Sequence, residues 1–404
     1  MRASISYLGF SLMIAWASGA QAVDVNTTNV LTKNAINFKP HRVGNFRSEV
    51  CGVADFNNDG LPDIVAGEYL YLAPKWQALK IRTLGGSVDE QGKGYRHDFA
   101  NLPQDVDGDG LLDVISVDWF GKHVVWFKNV GSKGGEWPMS LIHQNGNFEA
   151  GDLGDLEGRG FKTAILPWAE HSFWCEAGPL DADNKLTWRI HLISPKQMHW
   201  GVGVGDLNGD GRPDYIRPNA WFEAPADLRK GVWLEHSLAL GAPNGKATHT
   251  AQILVYDVNG DGLADIITSA AHTAGIFWYE QQRANGQTSF KQHLIDDTWT
   301  QAHSLALGDL DGDGLLELVA GKRFQAHNGS DPEADAPLGV YYYKFQRQDG
   351  ASPIWRKHVV AFNTGIGSGV NLCLADINLD GKLDIVVTGK WGGPVWFENQ
   401  GFDN

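Results

Sequence analysis

Seven times along the chain an acidic turn of nearly one form recurs. It reads ADFNNDGLPDIV from Ala54, QDVDGDGLLDVI from Gln104, GDLEGRGFKTAI from Gly154, GDLNGDGRPDYI from Gly205, YDVNGDGLADII from Tyr256, GDLDGDGLLELV from Gly308 and ADINLDGKLDIV from Ala375. The first carboxylates, Asp55, Asp105, Asp155, Asp206, Asp257, Asp309 and Asp376, stand 50, 50, 51, 51, 52 and 67 residues apart. A fixed period of that length marks one supersecondary unit repeated and stacked. In each unit an apolar stretch precedes the turn and a β-branched one follows it. A third, aromatic stretch reads Val125-Trp-Phe-Lys-Asn129, Trp221-Phe-Glu223, Phe277-Trp-Tyr-Glu280 and Val395-Trp-Phe-Glu-Asn399. A fourth reads Trp188-Arg-Ile-His191, Trp233-Leu-Glu-His236, Phe290-Lys-Gln-His293 and Trp355-Arg-Lys-His358. Four short strands in such a period make a propeller blade, so the expected fold is all-β, a seven-bladed β-propeller. The seventh unit stops without a fourth strand, whereas Phe38-Lys-Pro-His41 matches that strand at the other end of the chain. Residues around Ile36 to Val43 are therefore expected to complete blade seven and remove the open edge.

Oxygen ligands on alternate residues, with a glycine after the third, suit a hard cation of calcium's size. The expected metal-binding side chains are Asp55, Asn57, Asp59 and Asp63 in unit one and Asp105, Asp107, Asp109 and Asp113 in unit two. Unit four offers Asp206, Asn208, Asp210 and Asp214, and unit five Asp257, Asn259, Asp261 and Asp265. Unit six offers Asp309, Asp311, Asp313 and Glu317, and unit seven Asp376, Asn378, Asp380 and Asp384. Unit three fails, because Arg159 and Thr163 replace two ligands; Arg159 is expected to act as a built-in cation there. This D-x-[DN]-x-[DN]-G-x-x-D pattern resembles the FG-GAP/VCBS family of calcium-loop propellers, to which the integrin α head belongs. The resemblance spans essentially all of the chain after residue 22 and implies about six structural Ca2+ sites.

The net charge of -15 follows from 48 acidic against 33 basic residues, and 20 of the acids lie in the six intact loops. The acidity is thus mainly a property of metal loops, and it argues against nucleic acid, which needs a basic face. An apolar run from Ile5 to Trp16 ending in Ala20-Gln21-Ala22 has the form of a secretory signal over residues 1–22. One propeller domain over residues 23–404 is expected, secreted or periplasmic, with no later stretch approaching a membrane span. Cys51, Cys175 and Cys373 cannot all pair, so no disulfide framework carries the fold.

The repeat also sorts the histidines. His41, His191, His236, His293 and His358 share the fourth-strand position and are expected to be structural, hydrogen-bonded beneath the neighbouring aromatic. His97, His199, His249 and His303 lie six to eight residues before the first loop acid, and His171, His272 and His327 fifteen to eighteen after it. At about 3.3 Å per strand residue, both groups stand roughly 20 Å from the loops, at the opposite mouth of the central channel. Glu49, Glu68, Arg96, Asp118, Asn219, Lys322, Arg323 and Lys390 occupy corresponding positions, with the aromatics Tyr69, Tyr95, Trp119, Trp168, Trp200 and Trp391. A long insertion, Arg323 to Gly339, hangs over the same face.

Aromatic plates beside hydrogen-bonding side chains suit a carbohydrate, and clustered histidines suit Zn2+ or another transition metal. The stretch GKRFQAHNGSDP resembles the propeller portion of the aldos-2-ulose dehydratase family, and more loosely the seven-bladed polysaccharide lyases; the cupin domains of that dehydratase are absent from the sequence. The resemblance implies β-elimination on a keto-sugar or uronic-acid glycan. That reaction needs a base, an electrophile for the enolate and an acid for the leaving oxygen. The candidates are His97, His199, His249, His303, His171, His272 and His327 for base or metal ligand, Arg96, Arg323, Lys322 and Lys390 for anion stabilisation, and Tyr95 as acid. The rival expectation is a non-catalytic module binding a glycan or a protein at the same mouth. The oligomeric state is left open.

Overall fold

Every second strand that follows an acidic turn is buried along its whole length, as in Asp63–Ala66, Ala164–Pro167, Asp214–Arg217 and Asp384–Val387. A strand buried on both sheet faces must be covered from both sides, which accounts for its unbroken apolar run. The computed structural model, which describes residues 35–131, 135–183, 185–348 and 350–402, supplies that cover by stacking blade on blade. The expected signal at residues 1–22 lies outside the described residues.

Seven four-stranded antiparallel sheets form the ring. Blade one runs Cys51–Ala54, Asp63–Ala66, Tyr69–Leu72 and Gln77–Lys80 from the axis outward, and the next five repeat that order. Seven apolar clusters fill the seven interfaces. Ile165 of blade three packs with Ile115 of blade two, for example, and Ile385 of blade seven with Val319 of blade six. The seventh cluster joins Ile64 and Tyr71 of blade one to Val386 and Trp396 of blade seven, so the ring is closed.

Closure is made as the sequence predicts. Ile36–Phe46 pairs antiparallel with Gly393–Phe402 as the outermost strand of blade seven, with His41 opposite Trp396. That pairing repeats an outer-edge staple: His41, His191, His236 and His293 stack on Trp396, Trp174, Trp221 and Trp278 at centroid distances of 4.3, 4.2, 3.9 and 4.4 Å. Each also hydrogen-bonds a glutamate two residues after its tryptophan, Glu398, Glu176, Glu223 or Glu280. His358 stacks on Tyr342, where Lys344 stands in place of the glutamate.

The acidic turns share one backbone. The first carboxylate gathers amides across the turn; Asp206 accepts the N–H groups of Gly209, Asp210 and Gly211. The sixth-position glycines, from Gly60 to Gly381, all have φ between +83° and +87° with open space around the α-carbon, so backbone conformation rather than crowding requires them. The last carboxylate is buried and clips the turn to the third strand. Asp214, for instance, accepts Leu207 N–H and Ala224 N–H, both at 2.9 Å.

Among the described residues no helix is long and apolar enough to cross a membrane. A hairpin the repeat does not announce, Gly86–Val88 with Gly94–Arg96, rises between blades one and two and docks on the blade-six insertion, where Gly94 N–H donates to Asn328 Oδ1 at 2.7 Å.

Two expectations follow. The exposed Leu379 holds φ +59° at the turn position where the first loop has Asn58 at +57°. Leu379→Asn should therefore stabilise the protein by about 0.5–1 kcal/mol in urea unfolding, since left-handed backbone disfavours branched side chains. Across the closing interface Cys51 Sγ and Cys373 Sγ stand 3.9 Å apart. A disulfide-forming oxidant such as diamide should leave one titratable thiol, Cys175, in the denatured chain; three would show that the contact does not bond.

Candidate functional site

The two ends of the ring carry different chemistry. At one end lie the acidic turns, and in two of them the carboxylate oxygens converge. One ligand atom from each of Asp105, Asp107 and Asp113 lies within 4.8 Å of the others, and the same holds for Asp309, Asp311 and Glu317. Burial pushes the carboxyls of Asp63, Asp113, Asp214, Asp265 and Asp384 up to about 6 and that of Glu317 to about 7, a penalty that a cation beside them would offset. Positive groups already collect there. Lys128 bridges Asp107 and Asp109, and Lys344 bridges Asp311 and Asp313. These are the two loops with an aspartate at the third position. In the defective third loop Arg159 meets Glu157 at 3.0 Å, joined by Arg229 of blade four, which also clamps Glu176. Arg229 had no signal in the repeat.

At the other end, a cavity of about 390 Å3 opens in the channel mouth. Tyr95, Phe99, Trp119, Phe120 and Trp200 line part of it, and Glu149, His249, His272, Arg323, His327 and Asn328 line the rest. The floor is a continuous charged network. Arg323 is buried and binds Glu49 through Nε at 2.8 Å and Nη2 at 3.3 Å, with Nη1 3.5 Å from Glu149 Oε1. The same Glu149 oxygen faces His272 Nε2 and His303 Nε2, each at 3.4 Å. Asp331, from the insertion, accepts His272 Nδ1–H at 2.9 Å and His327 Nδ1–H at 2.7 Å. Lys390 lies 3.3 Å from the centroid of the Tyr95 ring and donates to Gln325 O. Three residues of the insertion, Gln325, His327 and Asn328, hold φ of 52°, 47° and 57°. Such backbone costs of the order of 1–3 kcal/mol per residue and persists where surroundings over-determine it, as at binding sites.

The network sorts protonation states. Burial alone would raise Glu149, but hydrogen bonds from His272 and His303 outweigh it and hold the carboxylate well below its usual range. Burial acts downward on His272, yet Asp331 and Glu149 lift it to about 9. Burial depresses His303 and His249 to about 4, so both are neutral at physiological pH. Burial likewise lowers His199 and brings Lys390 down to about 8, while it pushes the Tyr95 phenol up to about 12. His249 Nδ1 accepts Trp200 N–H at 3.1 Å, which places the ring proton of neutral His249 on Nε2. Its neighbour His199, 4.9 Å away between centroids, has its carbonyl fixed by the buried Arg217 at 2.7 Å.

Of the residues anticipated at the mouth, the structure brings together His199, His249, His272, His303, His327, Tyr95, Arg323 and Lys390, with Glu49. It leaves five others, His97, His171, Arg96, Lys322 and Trp168, outside the cavity lining. His97 pairs with Asp118 at 3.3 Å and stacks behind Phe120. His171 is exposed, 3.5 Å from Lys196 O. Arg96 donates to Gly86 O and covers Phe46. Lys322 spends its ammonium on Thr300. Trp168 is fully buried with its indole N–H on Asp152, so it offers no plate to a sugar. The sequence reading missed Glu149 and Asp331. Glu149 stands six residues before Asp155, the offset that marks His303 before Asp309, so the same periodicity could have found it. Asp331 lies in the insertion, where no period applies.

Residues 257–320 match the FG-GAP-like repeat family. A search of solved structures returns the crystal structure of the V. cholerae biofilm matrix protein Bap1, 12% identical, covering 88% of each chain with a TM-score of 0.37. No curated protein matches the sequence.

The floor gives a direct energetic expectation. Arg323→Met leaves two buried carboxylates without their shared cation, and urea unfolding should show a loss of about 3–5 kcal/mol. A loss below about 1 kcal/mol would mean the network is solvated.

Proposed function

We propose that this protein is an exported carbohydrate lyase that eliminates across a C–O bond of a keto-sugar or uronic-acid glycan in the channel mouth. The observation that carries the reading is one cavity with five aromatic side chains beside a floor of acid, base and cationic groups. Sugar rings stack their C–H faces on aromatic plates, and their hydroxyls need fixed donors and acceptors. In β-elimination a base removes the proton α to the carbonyl or carboxylate. The electron pair of that C–H bond forms the new C=C, and the C–O bond breaks with protonation of the leaving oxygen.

The protonation states distribute these roles. His199 is the base, as a neutral imidazole beside the cavity. His249 keeps its proton on Nε2 and orients a substrate oxygen as a donor. Tyr95, protonated throughout the physiological range, is the acid. Arg323 supplies positive potential where the enolate charge develops. His199→Ala and Tyr95→Phe should each lower turnover by about 10²–10⁴-fold with unchanged melting, followed by ultraviolet absorbance of the new conjugated double bond. Glycan binding with no double bond formed over uronic-acid and keto-sugar panels would replace the lyase by a binding module.

At the other end we infer that six loops bind calcium as hairpin staples, with Arg159 and Arg229 serving the third. The oxygen-only donor sets fit a hard cation, and no catalytic step depends on it. Chelation should lower the melting temperature by several degrees and added Ca2+ should restore it; melting indifferent to both would remove the calcium reading.

A further inference from the structure

The elimination chemistry occupies the mouth and leaves a second cavity without a role. That cavity measures about 360 Å3 and lies at the seam where the closing strand meets blade one, lined by Gly44, Asn45 and Phe46 on one side and Tyr69, Tyr71 and Ala78 on the other. We propose that this cleft is a second glycan-binding site, which takes one uronic-acid ring of an acidic polysaccharide.

The cleft exists because the closing strand leaves its register. Arg42 pairs with Val395 and Phe46 with Gly393, so four residue steps on one strand face two on the other, and the segment between them bulges. Arg42 fixes the bulge, donating from Nη1 to Gly392 O at 2.8 Å, Asn45 Oδ1 at 3.3 Å and Gly44 O at 3.5 Å. Across the seam Tyr69 and Tyr71 alternate with Leu70, so both project from one face of blade one, and Ala78 stands directly opposite Tyr71. A β-carbon at position 44 would lie 2.5 Å from the Tyr71 hydroxyl oxygen, so only glycine lets the bulge pass this close to the phenol.

Three features give the cleft its ligand chemistry. Tyr71 is 4% exposed, yet neither its hydroxyl nor that of Tyr69 has a hydrogen-bond partner among the described residues. Burial pushes the Tyr71 phenol up to about 12, so it remains a donor throughout the physiological range. Phe46 and Tyr69 meet edge to face with centroids 5.5 Å apart, a corner of aromatic surface for the C–H faces of a pyranose. Arg42 and Arg96 flank this corner, and each hydrogen-bonds only neutral oxygens. Arg96 donates from Nη1 to Gly86 O at 2.7 Å and holds its guanidinium 5.0 Å from the Phe46 centroid. Among the described residues neither guanidinium has a carboxylate partner, although the chain carries a net charge of -15. Two unneutralised guanidiniums beside aromatic rings suit a sugar that brings its own carboxylate.

The cleft adjoins the mouth. Successive strand residues point to opposite faces, and Tyr95 lines the mouth cavity whereas Arg96 covers Phe46 of the cleft. One strand, Gly94–Arg96, therefore stands between the two sites. A chain held by both binds more tightly than by either, because the second contact forms within the complex. That such a chain reacts in the mouth rests on the lyase reading above; acidic-glycan binding in the cleft does not.

The test keeps the two apart. Migration through native gels cast with increasing polygalacturonate, alginate or neutral hydroxyethyl cellulose gives a dissociation constant for each polymer. At least one of the two acidic polymers should retard the natural protein, and the neutral one should not. Tyr71→Phe removes a hydroxyl without a partner in the protein, so it should weaken that binding by roughly 2–10-fold with unchanged melting. Tyr69→Ala should weaken it at least as much, and Arg96→Gln should also flatten its dependence on salt. No retardation by either acidic polymer, or binding unchanged in all three variants, overturns the cleft; equal retardation by the neutral polymer overturns the uronic-acid assignment. Elimination is followed separately by ultraviolet absorbance. A protein whose acidic-glycan binding needs the cleft but which forms no double bond overturns the lyase reading alone, and elimination with binding indifferent to the three variants overturns the cleft alone.

Discussion

No blade of this protein can bury its own apolar surface. Each second strand is apolar on both faces, so each sheet needs a neighbour on either side, and the only arrangement that satisfies all seven is a closed ring. The closing strand Ile36–Phe46 is therefore what the structure depends on, since without it blade seven would expose the edge of Gly393–Phe402 together with the apolar face of Trp396. The Cys51 and Cys373 contact and the backbone clamp of Asn371 on Cys51, at 3.0 and 2.8 Å, fall at this same seam.

Ring closure also fixes where chemistry can sit. Loops joining first and second strands all emerge at one end, and loops joining second and third strands emerge at the other, beside the channel. The first end is made of hard oxygen donors repeated blade by blade. The second is made of one-off residues, Glu149 from blade three, His249 and His272 from blade five and Arg323, His327 and Asp331 from blade six, brought together by the curvature of the ring. Repetition suits stapling and singularity suits recognition, which is why the reactive reading belongs to the mouth.

Local charge is balanced within blades rather than over the surface. Where the third loop position is aspartate, as in Asp107 and Asp311, the residue two after the third-strand aromatic is lysine, and it reaches into the loop. Where that position is asparagine in blades four, five and seven, the corresponding residue is glutamate, and it turns outward to the stacked histidine. One extra carboxylate in a loop is matched by one ammonium at the third strand of the same blade, 21 residues on for Asp107 and 33 for Asp311, and otherwise that site is free to serve the outer edge.

The period and the motif determined the blade count, the closing strand, the position of the acidic turns and the sorting of the outer-edge histidines, because each depends on spacing along one chain and recurs often enough to average out local exceptions. Periodicity also placed His199, His249, His272, His303 and Arg323 at the right end of the channel, since strand length sets distance from the loops. It could not separate them from His97 and His171, which share the same offsets but turn to Asp118 and to solvent. Nor could it show that Asp331 holds two histidines or that the Gly86–Val88 and Gly94–Arg96 hairpin reaches the insertion of blade six. Those contacts join residues that differ from blade to blade and lie far apart along the chain. Their meeting is decided by ring curvature and by a non-repeating loop, so only the tertiary structure could bring them into one site.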